Sequence, residues 1–325
     1  MGLIDTLSAG FDRVTKRLWL ILLPALVDVA IWIGPRISVS SLSQEAMSML
    51  PTAPDLGAQY EQSLELAGEW LVNVGAHANL LSLLSMRILG LPSLIASFAP
   101  GEGLQVIGQR VLQVRTWPSL LGWVVFLTAL SLLLGCFCLS WIAQEARDEE
   151  LDVAYALQVT GRSWLRLMAL VLFAAVAVTT VSLGAGVSFS VVSLFSVQLG
   201  ALFFSALVLV GLWLSAYLGI ISVFVPRVTV FDDMGIWHSL RSSVNVVHRN
   251  LIPAILFVVL ISVLQTGLMY IWRLLAVNTA GALVGILGNS YVSTGLVMAS
   301  LIFYRDRFVA WQDATPPSEA GERQP

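Results

Sequence analysis

Across six apolar stretches of the chain there is one acidic residue, Asp28, and one basic residue, Arg273. A charged side chain at the centre of a membrane helix costs about 2.5–3.5 kcal/mol on insertion scales. Such a group is kept for pairing or for function. Pro24 lies one turn before Asp28. A proline inside a helix lacks an N–H and leaves the carbonyl four residues earlier without its donor. Pro24 and Asp28 could therefore form a polar pocket for a proton, an ion or a lipid headgroup. The alternative is that Asp28 pairs with an arginine such as Arg273 or Arg87, or bonds a neighbouring helix, and so fixes packing. One acid is a thin basis for ion coupling, and packing is the preferred reading.

Other residues with chemical potential are scattered. Cys136 and Cys138 stand two apart in an apolar stretch, project from different sides of a helix, and read as small packing residues. His77, His238 and His248 have no carboxylate at ligand or triad spacing. Glu61, Glu65 and Glu69 recur every fourth residue, which is the pattern of a solvated helix face more than of a cation site. Gln265 and Asn289 are amides in apolar surroundings, expected to hydrogen-bond across helices. No GxSxG, Walker A, GxGxxG or HExxH motif occurs. An enzyme is not expected, and no cofactor or metal is called for.

The elements that must position these residues follow from composition. Of 325 residues, 57% are hydrophobic and 11% charged, where soluble domains run at roughly 45–50% and about 25%. Mean hydropathy is +0.85. The chain therefore reads as an all-α polytopic integral membrane protein. A net charge of −3 and the lack of a basic run exclude a nucleic-acid partner.

About 20 apolar residues cross a hydrocarbon core of roughly 30 Å. Six segments are read as spans, approximately 19–34, 118–142, 167–190, 197–225, 251–275 and 281–304. Trp19 and Trp32 bracket the first and Trp117 and Trp141 the second, at the headgroup level that indoles favour. Arg13, Lys16 and Arg17 precede the first span, and Arg305 and Arg307 follow the last. The positive-inside rule then puts both termini in the cytoplasm, and the cell membrane is the expected location. Arg36, Arg87, Arg110, Arg115 and Arg273 fall outside. A seventh apolar stretch, 78–99, holds Arg87 and a Gly90-Leu91-Pro92 break, and is expected to be an interfacial or re-entrant helix. No small-residue cleavage site follows the basic start, so the first span is expected to be an uncleaved anchor.

Three segments align on Leu7, Leu157 and Leu240. Each is amphipathic and ends in basic or polar residues (Arg13, Lys16 and Arg17; Arg162 and Arg166; His248, Arg249 and Asn250) before running into a span. The predicted unit is a cytoplasmic interfacial helix plus a transmembrane hairpin, repeated three times. The run from Gly235 to Ile252 (GIWHSLRSSVNVVHRNLI) resembles a broad group of bacterial membrane proteins that includes the membrane domain attached to some glycerophosphodiester phosphodiesterases. That resemblance implies architecture only, since the phosphodiesterase catalytic residues have no counterpart here.

The expected organisation is 1–35, the first interfacial helix and span; 36–116, a helical extracytoplasmic insertion; 117–146, the second span; 147–226 and 227–311, the second and third repeats; and 312–325, a disordered cytoplasmic tail. Within the insertion, Tyr60, Leu64, Ala67, Leu71, Val74, Ala78 and Leu81 form a heptad-like seam on a helix of about 25 residues. Turns are expected near 51–57 and 100–103. Gly211, Ser215 and Gly219, and again Gly281 and Gly285, give the small-residue spacing that lets helices approach within a bundle or between two copies. The expected function is non-enzymatic, a structural or partner-binding membrane component that contacts lipids and other membrane or extracytoplasmic proteins. The alternative is a transporter or lipid-handling permease with its polar site around Asp28.

Overall fold

A computed structural model describes residues 2–49, 58–98, 109–147, 152–231, 235–249 and 251–314. The turns expected near 51–57 and 100–103 and the tail from 315 lie outside the described residues. Ten helices and one pair of short strands occur among those described. They are α1 (Leu3–Lys16), α2 (Leu22–Ile33), β1 (Arg36–Ser38), α3 (Ser40–Ser48), α4 (Ala58–His77), β2 (Val111–Gln113), α5 (Trp117–Ala146), α6 (Val153–Phe195), α7 (Val197–Phe231), α8 (Ile236–Arg249), α9 (Leu251–Leu275) and α10 (Thr279–Ala314). Five stretches are long and apolar enough to cross a membrane: all of α5, α6 and α9, Gln198–Phe231 of α7 and Thr279–Arg307 of α10.

The first expected span is shorter than the others. A 3-10 turn, Leu18–Ile21, precedes α2, and together they give the apolar stretch Leu18–Ile33. At 1.5 Å per residue that is roughly 24 Å. The break has a cause in Pro24, the third residue of α2. The first N–H groups of a helix have no intrahelical acceptor, so a proline there loses no bond. Pro24 thus marks where α2 starts anew. It does not kink the middle of a span.

The three junctions between amphipathic and apolar segments also differ. In α6 the two are one helix, begun by Asp152, whose carboxylate accepts from the N–H groups of Ala154 (2.8 Å) and Tyr155 (3.2 Å). At the first junction the 3-10 turn intervenes, and α8 ends at Arg249 just before α9 begins at Leu251.

The chain forms two compact units. One consists of residues 1–10, 139–262 and 298–325. Its core centres on Phe224, Phe257 and Phe303, with the rings of Phe257 and Phe303 stacked at 4.3 Å. The other unit, residues 11–138 and 263–297, contains Asp28. There α2 buries opposite faces in two clusters: Ala25 and Trp32 pack with Leu94, Met269 and Ile286, while Val27 and Ile31 pack with Ile37, Leu84 and Leu127.

The insertion in that second unit opens and closes on a feature absent from the all-α expectation. β1 and β2 pair in parallel, Arg36 opposite Val111. Asn79 Oδ1 accepts from the N–H groups of Ile37 and Leu81, both at 3.1 Å, and the Arg36 guanidinium donates to the Ala76 carbonyl. The seam helix α4 has 20 residues and stops at His77, leaving Ala78 and Leu81 outside it. It meets α3 through glycines: a Cβ on Gly75 would lie 1.9 Å from Ser43 Oγ, and one on Gly68 3.2 Å from Met47 Cε. Leu71 and Val74 of the seam are half-buried. The Tyr60, Leu64 and Ala67 side chains lie outside the described ones.

The stretch 78–99 is not a continuous helix. It is a chain of three 3-10 turns, Leu80–Leu84, Arg87–Leu89 and Ile95–Ser97. Gly90, at φ 81°, ends the second turn in the left-handed region, and a Cβ there would come within 2.6 Å of Val297 Cγ2. Pro92 follows with no N–H to give. Helix cannot propagate through that pair, yet Leu84, Leu89, Leu91, Pro92, Ser93 and Leu94 are all buried.

Candidate functional site

A buried loop without regular hydrogen bonds leaves backbone groups that must find partners, because an unmade bond away from water costs about 1–3 kcal/mol. Asp28 supplies the largest share. Its side chain is 1% exposed. One carboxylate oxygen accepts from the Ser93 hydroxyl and from Ile95 N–H at 3.1 Å, and the other accepts from Leu94 N–H at 2.8 Å. These are the donors that open the third turn, so Asp28, reaching from α2, acts as a helix cap from outside. Ser93 Oγ in turn accepts from Ala96 N–H at 2.9 Å.

The other helices around the loop each contribute one polar group. Asn289 of α10 donates to the Pro92 carbonyl at 2.8 Å, and Gln265 of α9 donates to Asn289 Oδ1 at 3.3 Å. Ser131 of α5 donates to the Leu84 carbonyl at 3.0 Å. Within the loop, Ser85 Oγ accepts from Ser93 N–H at 2.8 Å and donates to the Leu91 carbonyl at 3.2 Å. Asp28, Ser131, Gln265 and Asn289, from four helices of this unit, thus converge on one segment. Irregular backbone among apolar helices is tolerated on this condition, that protein groups satisfy it.

Arginine partners of Asp28 are replaced by this backbone cap. The Arg273 guanidinium lies over the Phe98 ring, 5.1 Å from its centroid, and Arg87 Nη2 points at Met269 Sδ, 3.6 Å away. Pro24 shares α2 with Asp28 but opens the helix, so no freed carbonyl joins the site. Gly281 and Gly285 are sites of close approach. A Cβ on Gly281 would lie 2.0 Å from the Leu275 carbonyl oxygen in the tight α9–α10 connection, and one on Gly285 2.8 Å from Leu94 of the loop. The stripe expected to pack on α7 does not do so among the described residues. Gly211 and Gly219 have no atom within 4 Å of where a Cβ would stand, and the exposed Ser215 hydroxyl bonds its own helix at Leu212 O, 2.9 Å away.

Cys136 and Cys138 are buried and form no disulfide. His77 contacts Asn73 one turn back on α4, and His238 and His248 are exposed. Glu65 and Glu69 are exposed on α4, and the Glu61 side chain lies outside the described ones.

Ser93, Ser131 and the loop backbone were not singled out by sequence reasoning. The available signal was Ser93 directly after Pro92, where a hydroxyl can cap the short turn that follows. No family model, no curated protein and no solved structure matches the chain.

Proposed function

We propose that the chain is a non-enzymatic, multi-pass membrane component that holds a structural or partner-docking surface in place. One observation carries this reading: the acid of the apolar helices is fully engaged by three hydrogen bonds that fasten a buried loop. A proton or ion site needs an acid free to change partners. In this reading the 3-10 turn and α2 form a sixth crossing beside the five long ones, both termini face the cytoplasm, and the 36–116 insertion projects from the outer face of a bacterial cell membrane. Lipids and other membrane or extracytoplasmic proteins are the expected partners. Purification of the full chain from mild detergent should recover a stoichiometric companion that is lost when the exposed Trp70 and Leu66 of α4 are changed to serine. Repeated recovery of the bare protein would count against docking.

A second reading, a permease, draws on the broken backbone at the loop, since interrupted helices line the substrate sites of many transporters. Flux in proteoliposomes that Asp28→Asn abolishes without lowering the melting temperature would favour it over docking.

A further inference from the structure

Beside the Asp28 cap, on the other side of Ser93, the loop walls an open cleft of about 240 Å³ lined by Ser82, Ser85, Arg87, Ser93, Ala96 and Ser97. Its donors can be accounted for one at a time. The hydroxyl hydrogens of Ser85, Ser93 and Ser97 are spent inward, on Leu91 O (3.2 Å), on Asp28 and on Leu94 O (2.5 Å). Among the described residues Ser82 Oγ makes no hydrogen bond, and its hydroxyl is available to the cleft. The Arg87 side chain is exposed, and its one polar contact among the described residues is the thioether of Met269, a weak acceptor that leaves most of its five N–H donors unused.

Among the described residues the charged group lining the cleft is therefore a cation, and none of them sets a carboxylate against it. Asp28, reached through Ser93, already accepts three hydrogen bonds. Arg273 stands one turn beyond Met269 on α9, so a second guanidinium lies on the same helix face. A volume of about 240 Å³ is below the roughly 300–1,000 Å³ of sites for drug-sized ligands and suits a headgroup or small anion. The planar guanidinium fork matches two oxygens of a phosphate, with Ser82 placed to donate to a third. Ala96 gives the wall an apolar side.

We propose that this cleft binds a phosphate-bearing anion through Arg87 and Ser82. The same chemistry is offered by the headgroup of an anionic phospholipid and by free phosphate, and the two are separable by experiment.

The full chain would be placed in nanodiscs of phosphatidylcholine with and without phosphatidylglycerol, and in lipid-stripped detergent with and without inorganic phosphate. Melting temperature and retained lipid, by native mass spectrometry, are the readouts. Phosphatidylglycerol should raise the melting temperature and stay bound, with Arg87→Gln weakening retention about tenfold, the loss of one charge-assisted contact. Ser82→Ala should weaken it by a smaller factor, and Arg87→Lys, which keeps the charge but not the fork, should retain part of it. Arg115→Gln removes an equally exposed arginine of the insertion and should change nothing. Stabilisation by inorganic phosphate that needs Arg87, with no preference for phosphatidylglycerol, would support the site with free phosphate as its ligand. Failure of both anions to stabilise the wild type would overturn the proposal, as would equal binding by the Arg87→Gln and Arg115→Gln proteins. Should Arg87→Gln fail to fold, wild-type retention in folded Arg87→Lys and Ser82→Ala proteins would overturn it too.

Discussion

The side chain of Asp28 shows how a residue noticed for one reason can be kept for another. An acid in an apolar helix invites a search for a cation, and Arg87 and Arg273 both lie within the same unit. The donors that meet it are instead two backbone N–H groups and the Ser93 hydroxyl, which satisfy a buried carboxylate and place no second charge in a dry site. Removal has a calculable consequence. Asp28→Ala orphans the N–H groups of Leu94 and Ile95, at about 1–3 kcal/mol each, so a loss of roughly 3 kcal/mol or more is expected. Asp28→Asn keeps one oxygen acceptor but turns an amide NH2 toward a donor, and should fall between the two. Thermal melting in detergent checks the order wild type, Asn, Ala; an Asn variant as stable as wild type would mean that the carboxylate is not needed as a cap. The oddity of Asp28 was legible in the sequence because its side chain is rare in such surroundings. Its partners were not, because a backbone N–H carries no mark of residue type.

At the scale of elements, sequence pattern located the long helices well, since continuous apolarity over 20 or more residues has few alternatives. The 251–275 stretch is α9 to the residue. Pattern failed where local stereochemistry overrides it. Apolar composition made 78–99 read as helix, whereas Gly90 and Pro92 turn it into 3-10 turns. Apolar composition also made 19–34 read as a full span, whereas Pro24 starts a new helix within it. The paired strands escaped notice because three-residue strands far apart in the chain leave no alternation to read. The two breakers should respond differently to alanine. Gly90→Ala sets a side chain at φ 81°, which costs about 1–2 kcal/mol, and drives its Cβ into Val297, so at least 2 kcal/mol is expected. Pro24→Ala loses no hydrogen bond and only some buried ring packing, about 1 kcal/mol. Melting temperatures of the two proteins compare them directly, and an equal or reversed order would show that the loop does not depend on its left-handed glycine.

For the whole molecule, the charges count for more than the apolar bulk. The central parts of the long helices are nearly uncharged, and Asp28, Ser131 and Asn289 are turned inward on one loop, so orientation in the bilayer rests on charges at the ends of the spans. Arg13, Lys16 and Arg17 at one end of the chain and Arg305 and Arg307 at the other argue for two cytoplasmic termini. With the proposed six crossings, the 36–116 insertion would then lie on the opposite face. The native thiols make this measurable without removing them, because Cys136 and Cys138 are 0% and 2% exposed and should stay silent to a bulky reagent. A cysteine at the exposed face of α4, Glu69→Cys, should label with a membrane-impermeant maleimide in intact cells. A cysteine at the exposed end of α1, Lys16→Cys, should label only after the cells are permeabilised. The reverse pattern would invert the topology and move the partner-docking surface to the cytoplasm. Labelling of both positions in intact cells would mean that no segment crosses between α1 and α4, and α2 with its 3-10 turn, the shortest of the six, would be the one that fails to cross.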